Sequence, residues 1–163
     1  MTSMLLDSSV YGEIAIDDKE EEILKALSDG CKYHLCNFQL IRKELRGKKG
    51  KKYKKRNAVL PLHDTLMRGK EYRENKEIEN LSYEYYQAYK SEGGNLPFKK
   101  LKIDFKIIAC ASIKQIDIVV SKDKNTMMSP FAKKAYEKVN ILRKLKTPQL
   151  WSYKYLRKEL LGF

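Results

Sequence analysis

Residues 116–123 read IDIVVSKD, and this stretch decides the fold class of the chain. Its run of β-branched residues is typical of a strand in a parallel sheet that is covered on both faces. Residues 4–10, MLLDSSV, repeat the arrangement near the N-terminus, where a short apolar run ends at an aspartate. The two stretches therefore predict two buried strands that each end close to a carboxylate, Asp123 and Asp7.

Apolar residues at helical spacing separate and follow these strands. Asn37 is expected to cap a helix, Asp104 to lie in the first turn of another, and Pro148 to open the last, with Leu150 and Trp151 on its buried face. The predicted helices are 10–27 with a break, 37–45, 57–70, 74–91, 101–115, 129–145 and the segment after 148, and a further strand is predicted at 33–36. This alternation predicts an α/β fold: a single-domain α/β/α sandwich over residues 1–163 with a central parallel sheet.

Composition limits the functional classes. At 163 residues, 42% of them hydrophobic, the chain is long enough for one buried core. Its three cysteines lack paired spacing, so we expect reduced core thiols rather than disulfides or a zinc site. The N-terminus lacks a basic leader, and no stretch approaches the roughly 18 apolar residues of a membrane span. We therefore expect a soluble, cytoplasmic protein that does not bind membranes.

The positive charge is concentrated in one segment. Residues 46–56, RGKKGKKYKKR, hold eight basic and no acidic residues, so the net charge of +13 leaves only +5 for the rest of the chain. The segment lacks apolar periodicity, which predicts a basic loop that is either a solvated insertion or a contact for nucleic-acid phosphates. The candidate contacts are Lys48, Lys49, Lys51, Lys52, Lys54, Lys55 and Arg56.

Four acidic residues, Asp7, Glu44, Asp104 and Asp123, are predicted at strand ends or on the helices beside them. Ligands collect outside the carboxyl ends of parallel strands, so we expect these carboxylates in one crevice. Grouped carboxylates repel each other and resist burial, and a divalent cation is the usual means of neutralising them. Each acid alone also has an ordinary explanation, as a helix cap, a turn residue or, for Glu44, one member of a surface ion pair.

Several of these stretches resemble the PIN-domain ribonucleases, including the VapC-like toxins of type II toxin–antitoxin modules. The resemblance rests on LLDSSV, Glu44, DFKIIACA and IVVSKD, in that order, and spans roughly residues 3–127. It implies a PIN-like sheet between helices and a metal-dependent endoribonuclease that uses Mg²⁺ or Mn²⁺ to hydrolyse RNA phosphodiester bonds. It further implies an antitoxin protein as partner and a homodimer.

The resemblance also assigns roles to individual residues. Asp7 and Asp123 would be metal ligands, Asp104 would complete the set, and Glu44 would orient a water molecule. Two hydroxyl residues, Ser9 and Ser121, would hydrogen-bond the carboxylates or that water.

The chain departs from the family pattern after its last acid. Asn125 and Thr126 stand where many members have a further aspartate and an aromatic residue, which weakens a second metal site. The alternative function is a catalytically silent RNA- or protein-binding module on the same scaffold. If the cluster exists, removing one charge by Asp7→Asn or Asp123→Asn is expected to maintain or slightly raise thermal stability without metal.

Overall fold

The computed structural model describes residues 1–47, 53–67 and 69–162. Its strands are β1 (Thr2–Leu6), β2 (Tyr33–Leu35), β3 (Asn37–Phe38), β4 (Glu71–Tyr72), β5 (Ile118–Ser121) and β6 (Gln149–Ser152). The main sheet is entirely parallel, with the order β2-β1-β5-β6, and β3 pairs with β4 separately. The expected central parallel sheet is confirmed.

Helices cover both faces of this sheet. They are α1 (Ser8–Ile16), α2 (Glu20–Ser28), α3 (Gln39–Arg46), α4 (Arg56–Leu66), α5 (Lys76–Ser91), α6 (Phe98–Ile113), α7 (Pro130–Arg143) and α8 (Tyr153–Leu161). One group packs α1 against α3 and α4, and α2 against α8, while the other packs α5 against α6 and α7. The architecture is the predicted α/β/α sandwich, consistent with a PIN-like fold.

The two central strands are buried over almost their whole length. Leu5 and Leu6 of β1 and Val119 and Val120 of β5 expose 1% or less of their surface. Continuous burial explains why these strands read as apolar runs rather than as alternating patterns. The strand predicted at 116–121 begins at Ile118, and the Asp117 N–H before it donates to the Ser3 side-chain hydroxyl rather than to a backbone carbonyl of β1.

The prediction for the C-terminal segment is partly wrong. Residues after Pro148 form the edge strand β6, in which Leu150 pairs with Val119 and Trp151 with Val120. The helix begins only at Tyr153, because the Ser152 hydroxyl caps it by accepting a hydrogen bond from the Tyr155 N–H. The serine cap therefore determines the helix start instead of the proline.

Two further helix starts differ from the predictions. Asn37 does not cap α3 but belongs to β3, and α3 begins at Gln39 after Phe38. Helix α6 begins at Phe98, directly after Pro97, so Asp104 lies in its second turn rather than its first. Asp104 therefore does not owe its position to the helix dipole, which acts only within the first turn.

None of the helices in the described part of the chain is both long enough and apolar enough to cross a membrane.

Asp117 joins β1 to the segment before β6 at the amino edge of the sheet. Its contacts predict how the stability of the fold depends on pH. Its carboxylate accepts hydrogen bonds from Lys146 Nζ at 2.6 Å and from the Ser3 N–H and hydroxyl at 2.9 and 3.0 Å. The Lys146 bond, followed by the Ser3 bonds, lowers the pKa of Asp117 from 3.8 to about 2. Because its pKa is lower in the folded state, ionised Asp117 stabilises the fold. This stabilisation is fully present above pH 3.8 and is lost as the pH falls through about 2.

We therefore expect Asp117→Asn to unfold more easily than the native chain at neutral pH, and the difference to shrink between about pH 4 and pH 2. Urea titrations at several pH values measure this difference. Lys146→Gln should raise the pKa of Asp117, which an NMR titration of the carboxyl carbon reports. A difference in unfolding free energy that is independent of pH contradicts the assignment.

Candidate functional site

Asp7 lies at the carboxyl edge of the sheet, between the end of β1 and the start of α1. Its N–H extends the parallel ladder by donating to the Val120 carbonyl at 2.9 Å, and its backbone conformation is that of a helix N-cap. The carboxylate is 1% exposed and accepts three close hydrogen bonds: from the Ser8 N–H at 2.8 Å, the Ser121 hydroxyl at 2.9 Å and the Ser9 hydroxyl at 3.0 Å. The ordinary capping role and the site role therefore coincide in this residue.

Glu44 reaches the same place from α3. It is 8% exposed, and its Oε1 accepts a hydrogen bond from the Ser8 hydroxyl at 3.0 Å. The same hydroxyl lies 3.5 Å from Asp7 Oδ1, so Ser8 bridges the two carboxylates.

Asp123 is joined to Asp7 through Ser121. The Ser121 hydroxyl accepts from the Asp123 N–H at 3.0 Å while donating to Asp7. Asp123 Oδ1 in turn accepts the N–H groups of Asn125 and Thr126, both at 2.9 Å, which forms a tight turn after β5.

Thr126 connects Asp123 to Asp104. Its hydroxyl lies 2.5 Å from Asp104 Oδ2 and also contacts Asp123 Oδ2. Tyr136 holds this segment in place, because its buried hydroxyl donates to the Met127 carbonyl at 2.8 Å. Burial raises the pKa of Tyr136 well above its usual value, and Asp104 raises it further, so this donor remains protonated.

A continuous chain of contacts thus links the four predicted acids, in the order Glu44, Ser8, Asp7, Ser121, Asp123, Thr126, Asp104. We call these seven residues the acidic cluster. It lies where β1 and β5 end side by side, and the chain continues from these strands to opposite edges of the sheet, to β2 and to β6. This is the topological switch point at which open parallel sheets bind ligands.

Two members of the cluster, Ser8 and Thr126, were not predicted from the sequence. Ser9, which was predicted, also accepts the Lys122 N–H at 3.1 Å and so ties α1 to the turn after β5. The signal for Thr126 was its spacing: a hydroxyl residue three positions after an aspartate often completes a turn with it. Ser8 had no distinguishing signal, because its hydroxyl acquires its role only when α3 packs beside α1.

The donor set of the cluster fits a hard divalent cation in chemistry, since every side chain contributes carboxylate or hydroxyl oxygen. Among the described residues, no three Asp, Glu, His or Cys side chains are grouped so that they alone could hold a metal ion. The Ser8 and Thr126 hydroxyls lie between pairs of these carboxylates. Mg²⁺ is commonly held by one or two carboxylates and keeps several water molecules, so it does not require a closer group.

Thr126 brings the Asp104 and Asp123 carboxylates to one hydroxyl. A threonine hydroxyl has a single proton, so it can donate to only one of Asp104 and Asp123 at a time. Two carboxylates that meet at one proton repel each other, and a positive ion relieves that repulsion.

A surface cleft of about 710 Å³ opens beside the cluster. Ser9, Asp123 and Tyr153, the first residue of α8, are among its lining residues. The remaining lining residues include three lysines, Lys122, Lys124 and Lys154. Lys122 forms an ion pair with Glu13, which also lines the cleft. The cleft therefore places exposed positive charge next to the acidic cluster.

The basic segment 46–56 is only partly described. Arg46 ends α3 and Arg56 begins α4, so both ends of the predicted loop are helical. Three candidate phosphate contacts, Lys54, Lys55 and Arg56, are exposed. The other four, Lys48, Lys49, Lys51 and Lys52, lie outside the described residues.

Comparison with known proteins supports the fold. The chain superposes on a chain of the crystal structure of VapBC2 from Rickettsia felis bound to a DNA fragment from their promoter, with a TM-score of 0.57 and 13% sequence identity. The match covers 93% of this chain and 98% of that chain. No family model matches the sequence, and no curated protein shows significant similarity to it. At this level of identity the likeness concerns the fold alone.

The hydrogen bonds of the cluster predict different effects for Asp7→Asn and Asp123→Asn, which the sequence alone predicted to act alike. Ser9 and Ser121 each accept a backbone N–H, so their protons are directed at Asp7 Oδ2, while Oδ1 accepts the Ser8 N–H. An asparagine side chain at position 7 has only one oxygen, so its NH₂ group must face either the Ser8 N–H or the two serine hydroxyls. A donor on that side is then left without its acceptor. At position 123, by contrast, the amide oxygen can accept the two N–H groups while the NH₂ donates to Thr126.

In EDTA we therefore expect Asp7→Asn to destabilise the fold by about 1–3 kcal/mol, the cost of an unsatisfied buried donor. Asp123→Asn should be neutral or stabilising, because it removes a charge at no cost in hydrogen bonds. This revises the expectation that both substitutions maintain stability. Urea unfolding of the two variants measures the difference, and an equal effect, or a larger cost at position 123, contradicts this geometry.

Proposed function

We propose that this chain is a divalent-metal-dependent endoribonuclease that hydrolyses RNA phosphodiester bonds at the acidic cluster. The observation that carries the proposal is the convergence of four acids at the switch point of a parallel sheet, where Ser8, Ser121 and Thr126 join one acidic residue to the next. Buried like charges are costly, and a structural role requires no such arrangement. Similarity of fold to a chain of a VapBC2 structure supports the same class of function by analogy only.

Asp7, Asp104 and Asp123 are the residues that would hold the cation, directly or through its water molecules, with Glu44 beside them. When bound, Mg²⁺ or Mn²⁺ lowers the pKa of water and neutralises negative charge on the phosphate. The Ser9 and Ser121 hydroxyls fix the Asp7 carboxylate, and the turn after β5 fixes Asp123, so these oxygens are positioned in advance. Preorganised oxygens need not reorient during the reaction.

We propose that Glu44, whose Oε1 accepts a hydrogen bond from the Ser8 hydroxyl, also accepts a hydrogen bond and then the proton of the attacking water. In the hydrolysis, a bond forms between the water oxygen and phosphorus. The bond between phosphorus and the leaving ribose oxygen breaks, and that oxygen takes up a proton. A buried glutamate can serve such a reaction as proton acceptor.

The rest of the surface suits a polyanionic substrate. A net charge of +13 attracts nucleic acid and accelerates its encounter with the protein. The cleft that contains Lys122, Lys124 and Lys154 is also lined by Ser9 and Asp123, so a strand bound there would contact these lysines next to the cluster. We infer that backbone phosphates occupy this cleft.

The central prediction is chemical. The native chain should cleave single-stranded RNA with Mg²⁺ or Mn²⁺ and lose activity in EDTA. Asp123→Asn should lower kcat by at least about 10²-fold, because a neutral amide holds a divalent cation far less well than a carboxylate does. Asp7→Asn should do the same. Gel analysis of end-labelled RNA with a metal titration measures both effects.

Asp29→Asn is the matched control, since Asp29 is exposed and precedes β2 at the opposite edge of the sheet. It removes the same charge and should leave cleavage unchanged. Native-level cleavage by Asp123→Asn would exclude the cluster as the active site. The alternative, a catalytically silent RNA- or protein-binding module, would then be favoured if RNA or a protein partner still bound.

We further propose a protein partner of the antitoxin class, by analogy with the two-component VapBC2 structure. Expression of the native chain in a bacterial host should then arrest growth, whereas Asp123→Asn should not. Co-expression of the product of the adjacent gene should restore growth and form a complex visible by light scattering, which also reports any homodimer. Growth arrest that no adjacent gene product relieves would contradict the antitoxin proposal.

A further inference from the structure

Gly12 lies in the middle of α1, where a glycine is destabilising relative to alanine. The space that an alanine side chain would need is occupied by an aromatic ring. A methyl group at position 12 would lie 2.5 Å from Cδ1, 2.8 Å from Cε1 and 2.9 Å from Cγ of Tyr53. Because Cγ is close to the root of the side chain, the whole ring would have to move. Glycine at position 12 therefore makes room for Tyr53.

This contact lies next to the acidic cluster. Gly12 follows Ser8 by four residues, so the two occupy adjacent turns on the same face of α1, about 5–6 Å apart. Ser8 is the residue that bridges Asp7 and Glu44. The Tyr53 ring is thus held one helical turn from the contact between Ser8 and Glu44.

Tyr53 is followed directly by three cations. Lys54, Lys55 and Arg56 are all exposed, and Arg56 is the first residue of α4, which itself packs against α1. Consecutive Cα atoms are 3.8 Å apart, so the Cα atoms of these three residues lie within about 11 Å of the Tyr53 Cα atom. The contact between Tyr53 and Gly12 therefore limits how far the three cations can lie from α1.

We propose that the contact between Gly12 and Tyr53 is a positioning device that holds Lys54, Lys55 and Arg56 beside the acidic cluster as a binding surface for nucleic-acid phosphates. The inference rests on the proposed function, since it assigns this surface to the substrate of that site. Gly12 and Tyr53 touch no substrate; they act through the three cations. Cations held in place lose less freedom on binding than cations on a mobile segment.

The test is a double-mutant cycle on binding of a single-stranded RNA oligonucleotide in EDTA, where cleavage cannot interfere. The charge variant is K54Q/K55Q/R56Q, and the positioning variant is Gly12→Ala. In the native background, the charge variant should reduce the slope of log K against log salt by about 2, at about 0.7 per lost contact. In the Gly12→Ala background, the same three substitutions should change the slope much less, because the displaced cations no longer contribute fully.

Tyr53 variants and a charge-matched control distinguish positioning from simple packing. Tyr53→Ala should reproduce the effect of Gly12→Ala on the slope, while Tyr53→Phe, which retains the ring, should bind RNA as the native chain does. The control K25Q/K144Q/K158Q removes the same charge from exposed sites. These sites lie near the C-terminal ends of α2, α7 and α8, which face the opposite edge of the sheet, so this control should leave the slope unchanged.

Two results would overturn the inference: an equal effect of the charge variant in both backgrounds, or no effect of the charge variant in the native chain. Either would leave the nuclease proposal intact, because metal-dependent cleavage is measured separately. In the opposite outcome, the charge variant changes the slope less in the Gly12→Ala background, but the chain shows no metal-dependent cleavage. That outcome would exclude the nuclease proposal and support the positioned RNA-binding surface.

Discussion

Mutual repulsion among neighbouring carboxylates is the constraint on which the rest of the site depends. Four acids converge from the end of β1, from α3 and α6, and from the turn after β5. The Ser8 and Thr126 hydroxyls each lie between two of their carboxylates, and Ser121 joins the Asp7 carboxylate to the Asp123 N–H. The hydroxyls supply protons without supplying charge, so they hold the carboxylate oxygens in place without a positive partner. The proposed cation would supply that missing positive charge.

The topology of the sheet brings these acids together. Strands β1 and β5 are far apart in the sequence, yet they pair directly in the sheet. Their carboxyl ends therefore place Asp7 and Ser121 within hydrogen-bonding distance. Positive charge lies beside this point. The cleft that Asp123 lines also contains Lys122, Lys124 and Lys154, and the Tyr53 ring packs against Gly12 of α1.

Strands β1, β2 and β5 could be predicted, because buried parallel strands have a distinctive apolar sequence. The two-residue strands β3 and β4 could not, and the edge strand β6 was predicted as part of a helix. Helix starts were harder, since Ser152 and Pro97 compete with signals a few residues away. The four acids were identifiable from their positions at strand ends and from the family resemblance. Ser8, Thr126 and the contact between Gly12 and Tyr53 were not, because each depends on residues brought together only by tertiary packing.

The most direct test of the account is the position of a bound metal ion. Crystals grown with Mn²⁺ and measured for anomalous scattering should show a peak among Asp7, Asp104 and Asp123, with Glu44 beside it. That peak should be absent from Asp123→Asn crystals grown in the same way. A native structure with no manganese at the cluster, or with manganese bound only elsewhere, would contradict the claim that these carboxylates form a metal-dependent active site.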